Sequence, residues 1–249
     1  CLIDDYEPQS TRAFEVARVY RNLKGSGLPV RIPAIEMVEI GAGGGSIAHI
    51  DTMGRINVGP KSAGAEPGPA CYDQGGDSPT VTDADVILGR IDPDRFAGGR
   101  VKMVPKRAYE TVHKKIGQKT NMTDIFSAFG ISEIVDENMA NAARVHAVER
   151  GKEMNGRAMI AFGGAAPLHA TRLAEKLGLR TVIVPTGAGV GSAIGFLRAP
   201  ISYEVVRSRF IRLQDFDLAA INEMLFDMQQ QAESVVRMAV PDGELLTTR

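Results

Sequence analysis

Residues 158–197 read AMIAFGGAAPLHATRLAEKLGLRTVIVPTGAGVGSAIGFL, and their pattern decides the fold class. The apolar run 158–162 has the length of a buried strand. Pro167 then falls where the first turn of a helix tolerates it. Leu168, Leu173 and Leu177 carry that helix to Gly178, a natural C-terminal stop. A second apolar run at 181–184 predicts the next strand, and 190–197 a short helix. Upstream, Ser132 is expected to N-cap a helix reaching about Arg150, with Ile134, Val135, Met139, Ala142 and Val145 as its apolar stripe. The order helix, strand, helix, strand, helix gives βαβ crossovers, so the strands at 158–162 and 181–184 are expected to be parallel in one sheet. The fold class is α/β.

Away from this stretch the pattern is less regular. Leu2-Ile3 and then Phe14, Val16 and Tyr20 read as two short strands joined by the polar segment 4–11. A Gly/Pro-rich link follows at 24–33. Strands are expected at 36–40, 47–51 and 56–58, ahead of a long loop at 59–79 with Pro at 60, 67, 69 and 79. Thr82-Asp83 is expected to cap a short helix through Leu88, and 107–117 resembles another helix. After Pro200, residues 203–211 alternate like an edge strand. Residues 217–240 then form a long amphipathic pattern with Leu218, Ile221, Leu225, Met228, Ala232 and Val235 on one face.

Composition excludes several classes. Of 249 residues, 44% are apolar and 24% charged, which is the balance of a folded globular chain rather than a disordered one. Lys and Arg number 29 against 30 Asp and Glu, so there is no basic footprint for nucleic acid or an anionic membrane. The longest uncharged stretch, 181–197, is shorter than a spanning helix and contains Pro185 and four glycines, so no membrane span is expected. Cys1 and Cys71 make neither a disulfide framework nor a zinc-ligand spacing. The acidic start with Asp4, Asp5 and Glu7 is not a secretory signal. A cytoplasmic location follows as the expectation. Because the chain opens with Cys1 rather than Met, it is expected to be a piece of a longer polypeptide.

Three glycine clusters are candidate ligand positions. Gly41-Ala42-Gly43-Gly44-Gly45-Ser46 has more glycine than a two-residue turn needs. It would let backbone N–H groups face an anion, with the Ser46 hydroxyl as a further donor. Gly163-Gly164-Ala165-Ala166 follows a predicted strand and precedes a helix, the place where open α/β sheets bind ligands. Close helix–strand packing would also demand small residues there. Gly187-Ala188-Gly189-Val190-Gly191 poses the same question. None fits the dinucleotide fingerprint, and Pro60 breaks the phosphate-loop register around Gly59 and Lys61. His49, His113, His146 and His169 show no paired metal-ligand spacing. His49 and Asp51 would share a strand face, as an exposed polar surface or as half of a relay or metal site.

The strings EIGAGGGSIAHID (39–51), VGPKSAGAEPGPACY (58–72), PTVTDADVILGRI (79–91), IAFGGAAPLHATRLAEKLG (160–178) and VPTGAGVGSAIGFLRAPISYE (184–204) are more specific than any of these motifs. Together they resemble the hydantoinase A / oxoprolinase family of ATP-dependent enzymes. The resemblance implies a partial actin-like, ribonuclease-H-like core. Residues 1–20 and 130–205 would form it, 21–129 would be a large insertion, and 206–249 the start of a further region. It implies ATP and Mg²⁺ as cofactors and cleavage of a cyclic amide such as a hydantoin or 5-oxoproline. Ketone carboxylase subunits and a non-catalytic scaffold docking through 217–240 are the other readings. It also implies a hydantoinase B-type partner subunit, with a homo-oligomer as a further option. Gly163, Gly164 and Ala165 would lie on the adenosine side, with Gly43, Gly44, Gly45 and Ser46 as a second cofactor-binding loop. The phosphate-binding segments of the family would precede the present chain. The family commonly has Gly where Ala166 stands and often Asn where Asp85 stands.

Overall fold

The computed structural model describes residues 1–17, 19 and 25–240, with the backbone alone at Leu213. Two compact units divide it, Cys1–Gly191 and Ser192–Arg249. In the first, β1 (Ile3–Asp4) pairs antiparallel with β2 (Glu7–Pro8). Next come β3 (Ser10–Thr11), β4 (Phe14–Val16), β5 (Leu28–Val30) and β6 (Ala34–Ile35). β3 pairs with β6, and β4 with β5, both antiparallel. Pairing therefore occupies parts of the segments read as a polar joint and a link. Tyr20, expected in the second strand, lies outside the described residues. The strand expected at 36–40 does not form. Its ladder partner is engaged two residues earlier, at Ala34–Ile35, and the contact ends with Glu36 N–H donating to the Gln9 carbonyl at 2.7 Å.

β7 (Ser46–Ile50) and β8 (Ile56–Ser62) form an antiparallel hairpin with an irregularity between Ser46 and Ala48. β8 thus runs four residues beyond the expected 56–58. Thr80 bridges Ile47, and Ala48 N–H donates to the Pro79 carbonyl. These contacts set α1 (Val81–Ile87) beside the start of β7. Its N-cap is Thr80 rather than the expected Thr82: Thr80 Oγ accepts from Asp83 N–H, and the Asp83 carboxylate accepts from Thr80 N–H. That reciprocal pair is a capping box. Every residue of α1 is buried, so each of its polar side chains needs a partner inside the protein.

Helix α2 (Pro105–Val112) passes through a π-helical turn, His113–Gly117, into α3 (Gln118–Thr120). α4 (Asp124–Glu149) has Thr123 as its N-cap, nine residues before the expected Ser132. At Gly130 a Cβ would lie 3.2 Å from Ile56 Cδ1, so the missing side chain lets α4 approach β8. α4 also runs through the boundary expected at 129/130. Val81, Val112, Ile116, Ile131 and Val135 are fully buried between α1, α2, the π turn and α4. Each such side chain contributes about 1.5–3 kcal/mol by leaving water.

β9 (Ala158–Ile160), α5 (Ala166–Leu177) and β10 (Thr181–Ile183) form the crossover, and the two strands are parallel as the sequence predicts. Gly178 closes α5 in the left-handed region. α6 (Gly191–Arg198) leads into the second unit, in which 203–211 forms no strand among the described residues. That segment has the alternation of a strand but no ladder partner there. α7 (Leu218–Arg237) is N-capped by Asp217, whose carboxylate accepts from Ala219 and Ala220 N–H. Among the described residues no helix is long and apolar enough to cross a membrane.

Candidate functional site

The first glycine loop is anchored on both sides. Gly44 carbonyl accepts from Thr82 N–H at the start of α1, and Gly45 carbonyl accepts from Ala63 N–H, both at 2.8 Å. Packing explains three of its glycines, among them Gly45, where a Cβ would stand 2.7 Å from Ser62 Oγ. A Cβ on Gly41 would stand 2.8 Å from Pro60 Cβ, and one on Gly44 would stand 2.6 Å from Thr82 Oγ1. A Cβ on Gly43 would meet nothing within 4 Å. Two of the donors expected to face an anion are turned inward: Gly43 N–H donates to Ser46 Oγ at 3.0 Å, and Ser46 N–H donates to the Gly43 carbonyl. The Ser46 side chain thus closes the loop.

The second loop leaves β9 with Gly163 at φ 102°, a conformation in which a side chain is strained. Its N–H donates to the Ala188 carbonyl at 2.7 Å, tying it to the third glycine cluster. There Gly187 adopts the left-handed region, and a Cβ on Gly191 would press on Phe162 at 3.2 Å. Turn geometry and packing account for those two. Like Gly189 in the third cluster, Gly164 is different. Its φ lies outside the left-handed region, and an added Cβ would meet nothing within 4 Å. Neither backbone strain nor packing requires glycine at 164.

The two loops meet. The Cβ built on Gly44 would also lie 4.0 Å from Ala165 Cβ, which places the start of α5 against the loop held by α1. Sequence spacing could not foresee this juxtaposition of residues some 120 positions apart.

Just inside the junction lies a group of charges that reading the motifs missed. His169 Nδ1 is 2.7 Å from Asp136 Oδ1, and His169 Nε2 is 3.2 Å from Asp85 Oδ2 in an ion-pair contact that lacks hydrogen-bond alignment. Arg90 donates to Asp85 Oδ1 at 3.2 Å and to Ser132 Oγ at 2.5 Å. Burial works against a charged imidazole here, but the two carboxylates outweigh it and hold His169 at a pKa of about 9. Asp85 and His169 lie in the family-like strings at 79–91 and 160–178, but nothing in those strings pairs them with each other or with Asp136.

The remaining candidates separate. His49 is exposed, whereas Asp51 caps its own turn by accepting from Met53 and Arg55 N–H. His113 pairs with Asp124 at 2.8 Å, and Lys61 is exposed on β8. Among the described residues no group of His, Cys, Asp and Glu is arranged to hold a metal ion. A groove of about 1170 Å³ runs along the C-terminal half of α4, lined by Arg31, Glu36, Val38, Asn141 and His146, and includes none of the glycine-loop residues.

Comparison with known proteins agrees with this architecture. The chain is similar to the acetophenone carboxylase gamma subunit of Aromatoleum aromaticum, at 42% identity over 66% of this chain and 23% of that protein. It superposes on a crystal structure of ATP-dependent caprolactamase from Pseudomonas jessenii with a TM-score of 0.69 and 32% identity, over 92% of this chain and 33% of that one. A nucleotide-free acetone carboxylase structure, from work on ATP-dependent acetone carboxylation, gives a TM-score of 0.74 at 25% identity, over 90% and 33%. The chain spans about a third of the length of the curated relatives it matches. The family model for hydantoinase/oxoprolinase matches residues 1–205. With more than half of its length matched, the chain belongs to the hydantoinase/oxoprolinase family.

Proposed function

We propose that this chain is part of the ATP-using subunit of an enzyme that opens a cyclic amide, with adenosine lying on the second glycine loop. The observation that carries this reading is the open backbone at Gly164, at the carboxyl end of β9, facing space that no packing contact needs. A flat ring set against glycine backbone explains why that position lacks a side chain. Gly163 and Ala165 would flank it, and Gly43, Gly44, Gly45 and Ser46 would form the adjoining wall. An actin-like core half and a partner subunit of the hydantoinase B type complete the proposal, supported by relatives named as subunits and as ATP-dependent.

Bound ATP would supply a phosphoryl group that converts a carbonyl-derived oxygen into a leaving group. This chain's part would be to orient the nucleoside and keep water from it, since effective catalysis of phosphoryl transfer is mostly positioning. The described residues offer no cluster suited to Mg²⁺. A second reading, the corresponding subunit of a ketone carboxylase, is favoured by the 42% identity to the acetophenone carboxylase subunit.

Measuring ATP turnover of the intact protein with its partner, first with hydantoins and lactams and then with ketone plus bicarbonate, separates the two readings. ATP hydrolysis stimulated by neither contradicts both. Gly164→Val is expected to fold normally, because its Cβ has room. It should weaken ATP binding by at least about tenfold, as the branched side chain enters the adenosine space. Unchanged affinity in the folded variant would remove adenosine from this loop.

A further inference from the structure

The buried charges beside the loop junction have no part in the nucleotide reading, yet they bridge the same two helices. Asp85 on α1, Asp136 on α4 and His169 on α5 are 1%, 0% and 3% exposed. We propose that Asp85 is a positioning residue whose contact with His169 clamps α1 to α5 one helical turn inside the junction and so fixes the separation of the two glycine loops. Its use in nucleotide binding rests on the reading above; the clamp itself does not.

Residues three or four apart on a helix share a face. Asp85 lies three residues beyond Thr82, whose N–H holds the Gly44 carbonyl. His169 lies four residues beyond Ala165, the residue that the Gly44 position faces. The charged contact therefore repeats, one turn deeper, the contact between the loops. Asp136 holds His169 to α4 at 2.7 Å, but only Asp85 joins it to α1. The groups facing the imidazole are Asp85 with its partner Arg90 from the α1 side, and Asp136, one turn from Ser132, from α4. Two buried carboxylates against one guanidinium balance only when His169 is protonated, and buried charges persist only when paired. Asp85→Asn keeps the shape and removes that requirement.

Amide hydrogen exchange in the intact protein tests the clamp. In the Asp85→Asn variant, protection at Gly43 to Ser46 and at Gly163 to Ala165 is expected to fall about tenfold, while α2 and the π turn keep theirs. In the wild type, raising the pH through about 9 should loosen the same two segments once intrinsic rates are divided out. The variant should lose that pH response. Unchanged protection at both loops, or a uniform fall across every helix, would overturn the proposal. If the variant does not fold, the wild-type pH series decides alone, and the absence of a response at both loops is then the contrary result. Failure of the protein to bind ATP would count against the proposed function but leave the exchange result decisive for the clamp.

Discussion

Replacing Asp83 with Ala is expected to lower the free energy of unfolding by about 3–5 kcal/mol, because buried donors lose their acceptor at about 1–3 kcal/mol each, offset in part by removal of a buried charge. The Asp83 side chain is wholly buried. Its carboxylate accepts from Ala70 N–H at 3.1 Å, Cys71 N–H at 2.8 Å, Thr80 N–H at 2.9 Å and Thr80 Oγ at 2.8 Å. Truncation leaves those donors unsatisfied in a place that water does not reach. It also dissolves the capping box that starts α1. Asp83→Asn keeps the shape but turns an amide N–H₂ toward donors, so it should recover only part of the loss. The two free thiols report the outcome. Cys1 is exposed and Cys71 is buried. Burial, with the Asp83 charge added, pushes the Cys71 thiol far above its usual pKa. A thiol reagent should therefore modify Cys1 alone in the wild type and reach Cys71 in Asp83→Ala. Denaturant unfolding that shows a change below about 1 kcal/mol would contradict this role of Asp83.

The second large effect is on pH. His169 titrates at about 9 in the folded protein, against 6.5 for an unperturbed imidazole. The native state thus binds the proton more tightly than the unfolded chain. The resulting stabilisation is complete below about pH 6.5 and disappears as the pH rises through about 9. At about 1.4 kcal/mol per tenfold change in proton affinity, the displacement corresponds to roughly 3 kcal/mol. Unfolding midpoints in denaturant should accordingly fall between pH 7 and 10, and Asp85→Asn should flatten the curve by removing one of the carboxylates that favour the cation. A wild-type curve already flat over that window would mean that His169 is neutral in the native protein. The surface pairs contribute little to this window. Arg172 and Lys176 hold Glu133 down at about 2, and the same pairing pushes both cations up, so none of the three titrates between pH 7 and 10.

The parallel crossover was legible because local signals agree there: Pro167 at a helix start, Gly178 at its end, and an apolar run on either side. The starts of α1 and α4 were misplaced for a shared reason. Thr82 and Ser132 have the right chemistry for a cap, but each sits inside a helix whose true cap is earlier, Thr80 by two residues and Thr123 by nine. Ser132 instead receives Arg90, a contact across 42 positions that no local pattern encodes. The segments 36–40 and 203–211 show that alternation gives a strand only where a ladder partner exists. In the candidate site the glycines were conspicuous, but their roles were not. Only tertiary contacts separate Gly41 and Gly44, which make room for Pro60 and Thr82, from Gly43 and Gly164, which face open space. Asp85 and His169 lay in family-like strings, but their contact across 84 positions was not legible there.

On the proposed function, nucleotide meets this chain where the two glycine loops converge. Photolabelling the intact protein with an azido-adenine ATP analogue, followed by peptide mapping, tests it most directly. The account predicts label on the stretch from Phe162 to His169, suppressed by excess ATP and reduced in Gly164→Val. Saturable, ATP-suppressed label confined to another segment, such as the groove lined by Arg31, Asn141 and His146, would contradict it.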